Sequence, residues 1–171
     1  GLYETSSAIK EELDEMGIDN FVLFTKNAKL TKNENKSITA SNPNGKEFTF
    51  YPENTSAVMR NSAINTKHGE DIVEDLEDYG VYIVNSLKST KLVADKHKFS
   101  KLLNRENIKT PKTKLLPDEE ALEEVISDFE FPAVFKTLKG SKGVGVFKID
   151  KRSSAKGVLQ ALWDKGEDLL I

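Results

Sequence analysis

Residues 132–149 read Pro-Ala-Val-Phe-Lys-Thr-Leu-Lys-Gly-Ser-Lys-Gly-Val-Gly-Val-Phe-Lys-Ile, and this stretch decides the fold of the second half of the chain. Two β-type runs, 133–138 and 145–149, flank a loop with three glycines, at Gly140, Gly143 and Gly145. Glycine lets backbone amides approach a ligand closely and adopt positive φ. A row of such amides beside ammonium groups suits a phosphate, although a solvated hairpin tip has the same composition.

The position of Lys136 favours the phosphate interpretation. This lysine stands in the middle of the first run, beside the apolar residues Val134 and Phe135, and residues 132–149 contain no Asp or Glu. A mid-strand lysine without an acidic partner in the hairpin has an ammonium group that can bind an anionic ligand. The sequence therefore predicts a nucleotide-phosphate site at Lys136 and the loop residues Gly140, Ser141, Lys142, Gly143 and Gly145.

The order of the elements excludes the common phosphate motifs. A Walker A loop and a dinucleotide fingerprint both lead into a helix, whereas this Gly-x-x-Gly-x-Gly loop leads into a strand. In a protein kinase the lysine follows the glycine loop, and here Lys136 precedes it. A lysine strand followed by a glycine flap resembles the arrangement in ATP-grasp ligases.

Composition indicates a soluble globular protein, because 37% of its residues are hydrophobic and 31% are charged. The net charge of −3 gives no overall field for nucleic acid. Charge is nevertheless segregated: residues 86–116 hold nine Lys or Arg against only Asp95 and Glu106. The chain has no cysteine, no apolar run of membrane-spanning length and no signal-peptide core, so we expect a cytoplasmic protein without a membrane partner.

Residues 1–86 alternate between helical and β-type patterns. Helices are expected over 4–16 and 68–79, and strands over 21–24, 56–59 and 81–84. Residues 26–37 read as a polar loop, and 37–40 and 46–51 flank Asn-Pro-Asn-Gly as a β-hairpin. This alternation predicts an open, mostly parallel α/β sheet. Because the sequence opens at Gly1 with a helix, we expect a lost first strand, or a fragment.

Residues 87–171 have a different character. A short helical stretch over 87–94 is followed by Asp95, a good N-cap for a helix that Asn107 ends in the left-handed conformation. Pro117 and Asp118 open a further helix before the glycine hairpin. Ser153 or Ser154 caps the next helix, and 169–171 begin a strand.

These pieces resemble an ATP-grasp ligase, most closely the RimK type that adds glutamate to ribosomal protein. The residues that carry the resemblance are Val84-Asn85-Ser86, Asp95-Lys96, Leu102-Leu103, Ile108-Lys109-Thr110-Pro111, Val134-Phe135-Lys136 and residues 140–146. The match covers 81–171, and earlier in the chain Ala57-Val58-Met59-Arg60 resembles a strand-end arginine of the family. The resemblance implies a Rossmann-like pre-ATP-grasp domain over 1–86, followed over 87–171 by the amino-terminal lobe of an ATP-grasp domain.

The resemblance also implies cofactors and site residues. Lys96 and Lys136 match the two lysines that hold the ATP phosphates, and the glycine loop matches the flap that covers them. Taken alone, Lys96 is an ordinary solvated helix lysine. Arg60 is a candidate contact for an acidic substrate, although a surface or ion-paired arginine is an equal alternative. The adenine hinge and the acids that bind Mg²⁺ lie beyond position 171 in the family, so no metal site is expected within this chain.

The implied activity is an ATP-dependent carboxylate–amine ligation through an acyl phosphate, with glutamate added to a protein or small-molecule carboxylate. This chain, which lacks the second lobe, is expected to be inactive by itself. Two alternatives stay open at this point. One is another ATP-grasp ligase, of the glutathione-synthetase or lysine-biosynthesis type, and the other is a non-catalytic nucleotide-binding module.

Overall fold

The computed structural model describes residues 4–138, 143–164, 166 and 168–171. The chain divides into two compact units, Gly1–Thr90 and Lys91–Ile171, and each is described by itself. Both units combine helices with sheets, and the sheets are of mixed orientation. The expected α/β class is thereby confirmed, but the described strands of the first unit are not mostly parallel: three pair antiparallel, and only Ser56–Val58 and Tyr82–Val84 pair in parallel. No helix in the described ranges is both long enough and apolar enough to cross a membrane.

The first unit contains a three-stranded and a two-stranded sheet. Its elements are α1 (Glu4–Glu15), β1 (Lys29–Lys32), β2 (Ile38–Ser41), β3 (Glu47–Phe50), β4 (Ser56–Val58), α2 (Lys67–Asp78) and β5 (Tyr82–Val84). The strands β1, β2 and β3 form an antiparallel meander, which confirms the hairpin at Asn-Pro-Asn-Gly. The strands β4 and β5 pair in parallel, with Ala57 opposite Ile83.

The core of the first unit forms where the apolar stripe of α2 meets β5. Ile72, Val73 and Leu76 of α2 are buried together with Val81 and Ile83. The side chain of Thr66 caps this helix by accepting a hydrogen bond from the backbone N–H of Gly69, at 3.0 Å. The acidic residues of α2 lie on its other faces, as the 3.6-residue period predicts.

Two predictions for the first unit are wrong. Residues 21–24 form no strand, because the side chain of Asn42 bonds their backbone in place of a neighbouring strand. Its Oδ1 accepts from Phe24 N and its Nδ2 donates to Val22 O, both at 2.8 Å. Conversely, β1 lies within the stretch predicted as polar loop. It is a sheet edge with mostly exposed side chains, where polar residues and lysine are common in strands.

The helix α3 (Leu87–Ala94) crosses the boundary between the units, and the remaining elements belong to the second unit. They are α4 (Lys96–Arg105), β6 (Leu115–Leu116), α5 (Leu122–Ser127), β7 (Ala133–Thr137), β8 (Val146–Ile149), α6 (Ala155–Trp163) and β9 (Leu169–Leu170). The four strands form one antiparallel sheet in the order β6-β9-β7-β8. The predicted glycine hairpin is therefore the β7–β8 pair.

One face of this sheet is buried by α5 and α6. Alternation along β7 turns Ala133, Phe135 and Thr137 inward, and Phe135 is fully buried in the core. Apolar residues of both helices complete this core, among them Leu122, Ile126 and Leu159. Because successive side chains of a strand point to opposite faces, Val134 and Lys136 lie on the other, open face.

Two helix starts in the second unit differ from the prediction. The helix expected to open at Pro117 begins instead at Leu122, since the Asp118 side chain holds the preceding residues in a turn by accepting from Ala121 N at 2.9 Å. Ser154 precedes α6 but makes no side-chain capping bond, because a 3-10 turn over Arg152–Ser154 leads into the helix with Ser154 already helical in φ and ψ.

Candidate phosphate site

Lys136 lies in the middle of the open face of the second unit's sheet. In the ladder it stands opposite Val146 of β8 on one side and Leu170 of β9 on the other. The side chains of Val134 and Val146, on the same face, are 44% and 45% exposed. Leu170, by contrast, is buried, so this face is open to solvent on its β8 side, where a ligand can reach the exposed side chain of Lys136.

The two lysines on this open face differ in their partners. Lys148 pairs with Asp150, with 2.9 Å between the ammonium and the carboxylate. Lys136 forms no ion pair with any residue in the described ranges. Of these two cations, Lys136 is thus the one whose charge is available to an anion.

The carboxyl-terminal end of the glycine loop is fixed against β7. Thr137 N donates to Gly145 O at 2.8 Å, and Gly145 has a φ of +77°. A Cβ at Gly145 would lie only 2.1 Å from the hydroxyl oxygen of Thr137. Gly143 has a similar φ of +81°, but a Cβ there would meet no atom within 4 Å. Gly145 is therefore required by packing as well as by conformation.

Three of the predicted loop residues, Gly140, Ser141 and Lys142, lie outside the described residues. Their assignment to a phosphate-covering flap stays a prediction from the sequence.

Lys96 is placed by the N-cap of α4. The carboxylate of Asp95 accepts a hydrogen bond from Lys98 N at 2.9 Å, which confirms the predicted cap. That backbone hydrogen bond, more than any other interaction, lowers the pKa of Asp95 and keeps the cap ionised at neutral pH. The helix begins at the next residue, Lys96, so the lysine side chain lies in its first turn.

The ammonium group of Lys96 reaches the end of β7. Its Nζ donates to the carbonyl oxygens of Thr137 and Leu138, at 3.1 and 2.9 Å. These carbonyls belong to the two residues directly after Lys136, so the structure brings Lys96 to the strand end where the glycine loop departs. Sequence reasoning missed these bonds, because a side-chain bond to a backbone carbonyl 41 residues away leaves no pattern in the sequence.

The other candidate residues are placed as follows. Arg60 is exposed two residues after the end of β4, in the first unit, whereas both lysines belong to the second. Within the described part of the chain, no group of three or more His, Cys, Asp or Glu side chains is arranged to hold a metal ion. The described residues thus offer no grouped set of ligands for Mg²⁺.

Comparison with known proteins agrees with this geometry. Residues 93–171 match the family model described as the RimK-like ATP-grasp domain. The chain resembles RimK-like ATP-grasp proteins. It is 27% identical over 140 residues to a probable alpha-L-glutamate ligase of Thioalkalivibrio sulfidiphilus, an alignment that covers 79% of this chain and 46% of the relative. The chain thus spans about half the length of the curated relatives it matches.

Solved ATP-grasp structures share the fold. A RimK domain ATP-grasp protein from Sphaerobacter thermophilus superposes with a TM-score of 0.63 at 19% identity, covering 94% of this chain and 55% of that protein. A D-alanyl-alanine synthetase A from Vibrio cholerae gives a TM-score of 0.63 at 14% identity, covering 96% and 51%. The ATP-grasp resemblance expected from the sequence is confirmed, and coverage of about half of each protein fits an amino-terminal part.

Proposed function

We propose that this chain is the nucleotide-phosphate-binding part of an ATP-dependent carboxylate–amine ligase. The observation that carries the proposal is the Lys96 ammonium group at the end of β7, directly after Lys136. Two cations from separate elements thereby flank the start of a glycine loop whose far end is fixed by Gly145. The matches to probable alpha-L-glutamate ligases support glutamate as the amine that is added to a protein or small-molecule carboxylate.

The proposed reaction has two steps. An acceptor carboxylate oxygen attacks the γ-phosphorus of ATP, and the bond from that phosphorus to the bridging oxygen breaks, so that ADP leaves with the electron pair. The amine of glutamate then attacks the carbonyl carbon of the acyl phosphate. Inorganic phosphate departs, the nitrogen loses a proton, and an amide remains.

In this reaction the ammonium groups of Lys136 and Lys96 would neutralise the negative charge on the phosphate oxygens while the phosphoryl group passes from ADP to the carboxylate. Backbone amides of the glycine loop would cover the same oxygens. The exposed Val134 and Val146 support a second lobe that packs over the open face and excludes water from the site. The ligands for Mg²⁺ and the adenine hinge would come from that lobe.

The remaining parts of the proposal concern substrate and location. Arg60 would meet an acidic group of a substrate, since it is an exposed guanidinium at a strand end. The absence of cysteine is compatible with a reducing, cytoplasmic location.

A second ligase class has support from the fold. The D-alanyl-alanine synthetase A superposes as well as the RimK domain protein, with the same TM-score of 0.63. A ligase that joins other amino acids therefore stays a candidate. A non-catalytic nucleotide-binding module is the remaining alternative. Such a module would bind ATP, but the full-length protein would then release no ADP in the presence of both substrates.

The test is an assay of the full-length protein with ATP, glutamate and an acceptor peptide that ends in a free carboxylate. We expect ADP release that requires both the carboxylate and the amine. We also expect hydroxylamine to trap the acyl phosphate as a hydroxamate when glutamate is omitted. The 171-residue chain by itself should bind ATP weakly and release no ADP. The proposal would be contradicted if the 171-residue chain alone released ADP as fast as the full-length protein, or if the full-length protein formed no hydroxamate.

A further inference from the structure

The turn that joins β2 to β3 contains Asn44 followed directly by Gly45, the single Asn-Gly pair of the sequence. Backbone hydrogen bonds close this turn: Asn42 N donates to Lys46 O at 2.8 Å, and Gly45 N donates to Asn42 O at 3.0 Å. Residues 43–47 are all exposed to solvent. Water and hydroxide can therefore reach both the Asn44 side chain and the backbone amide that follows it.

The side chain of Asn44 is folded towards the residues that follow it. Its Oδ1 accepts a hydrogen bond from Lys46 N at 3.1 Å. The ring of atoms that this bond closes contains both the amide carbon of Asn44 and the backbone nitrogen of Gly45, which keeps the two near each other. A donor at Oδ1 also draws electron density from the amide carbon and stabilises negative charge on the oxygen during a nucleophilic attack.

The backbone nitrogen of Gly45 is an unhindered nucleophile. Glycine carries no Cβ beside its nitrogen, so another atom can approach the nitrogen closely. This nitrogen becomes reactive once it loses its proton. Because the N–H is bonded to Asn42 O, the turn has to open locally first. An exposed hairpin tip with few buried contacts opens at a low cost in free energy.

The other asparagine of the turn, Asn42, is protected from the same reaction. It is followed by Pro43, whose nitrogen has no hydrogen to lose. Its side chain is buried, with Oδ1 accepting from Phe24 N and Nδ2 donating to Val22 O, both at 2.8 Å. Asn42 and Asn44 therefore differ in the available nucleophile, in exposure and in side-chain partners.

We infer that Asn44 is a site of spontaneous deamidation, a modification that is independent of the proposed function. The nitrogen of Gly45 loses its proton to solvent base and forms a bond to Cγ of Asn44. The bond from Cγ to Nδ2 breaks, and ammonia leaves with the electron pair and a proton from solvent. The product of this step is a cyclic succinimide.

Water then opens the succinimide at either of its two carbonyl carbons. Aspartate forms when the bond from the nitrogen to Cγ breaks, and isoaspartate forms when the bond from the nitrogen to the backbone carbonyl carbon breaks. Both products carry a carboxylate in place of the amide, so the turn gains one negative charge. Isoaspartate also adds one carbon to the backbone of the turn.

The test is an incubation of the full-length protein at mildly alkaline pH, followed by digestion with trypsin, which cleaves after Lys36 and Lys46. The peptide 37–46 contains both asparagines of the turn, and its fragment masses assign the modified residue. We expect aspartate and isoaspartate at position 44 and an unchanged Asn42. Conversion of Asn44 should be at least about tenfold faster than that of any other asparagine in residues 1–171, a difference of about 1.4 kcal/mol in the barrier. A sample digested without incubation corrects for conversion during digestion.

Two variants of the full-length protein serve as controls. Asn44→Gln keeps an amide at this exposed position but moves its carbon one bond further from the nitrogen, so position 44 should gain no charge. Gly45→Ala shields the nitrogen with a Cβ that would meet no described atom within 4 Å, and it should slow the conversion. An unmodified Asn44 in the wild type would overturn the inference. So would aspartate without isoaspartate, which indicates direct hydrolysis by water, or undiminished conversion in Gly45→Ala.

Discussion

The Lys136→Met variant of the full-length protein should lose most of its ATP-dependent turnover, with kcat falling by about 10²–10³-fold. Methionine is an unbranched side chain of similar length to lysine, and the Lys136 side chain is exposed on the open face. The fold should therefore be unaffected. What the variant loses is a fixed positive charge where the phosphoryl oxygens need one. The measurement is steady-state ADP release, with circular dichroism to verify folding.

The matched control is Lys148→Met on the same open face. Lys148 stands opposite Val134 in the ladder and already has a carboxylate partner in Asp150. Its replacement removes the same charge from the same sheet and should change kcat by less than about threefold. Wild-type turnover by Lys136→Met would show that the charge of Lys136 is not used in the reaction. Equal losses in the two variants would show that the positive charge of the whole face acts and that Lys136 has no special role.

The Gly145→Ala variant should destabilise the second unit by about 2–5 kcal/mol. A left-handed backbone costs a non-glycine residue about 1–2 kcal/mol. The added methyl would also lie 2.1 Å from the Thr137 hydroxyl, and relieving such overpacking typically costs a further 1–3 kcal/mol. Urea unfolding followed by the fluorescence of Trp163, the single tryptophan of the chain, reports on this unit.

Gly143→Ala is the control for backbone conformation alone. Its φ of +81° carries the same left-handed cost, but the new methyl would meet nothing within 4 Å. We therefore expect a loss of only about 1–2 kcal/mol. Combining Gly145→Ala with Thr137→Ala should recover part of the difference, because the hydroxyl and the γ-methyl group are removed. Equal destabilisation by the two single glycine variants would mean that contact with Thr137 does not hold the loop.

Local sequence patterns predicted the parts of the second unit that depend on neighbouring residues. Alternation and glycine spacing gave the β7–β8 hairpin, and Asp95 gave the start of α4. Asn107 has a φ of 56°, the left-handed conformation expected after that helix. In each case a nearby side chain or a backbone preference determines the conformation, and a sequence displays that information directly.

The errors occur where a distant residue decides the local structure. Residues 21–24 have the composition of a strand, yet the Asn42 side chain bonds their backbone. Residues 29–32 have the composition of a loop, yet pairing with β2 makes them a strand. The bonds from Lys96 to the end of β7 are of the same kind. The resemblance implies that Lys96 is a site residue, but its carbonyl partners could be found only in three dimensions.

A structure of the full-length protein with a non-hydrolysable ATP analogue tests the central claim most directly. We predict that Nζ of Lys96 and Nζ of Lys136 each lie about 2.7–3.2 Å from oxygens of one triphosphate. We also predict that the phosphates lie on the open face of the sheet, at the end of β7 where the glycine loop begins. A triphosphate bound elsewhere, or one contacted by neither lysine, would contradict the assignment of this site.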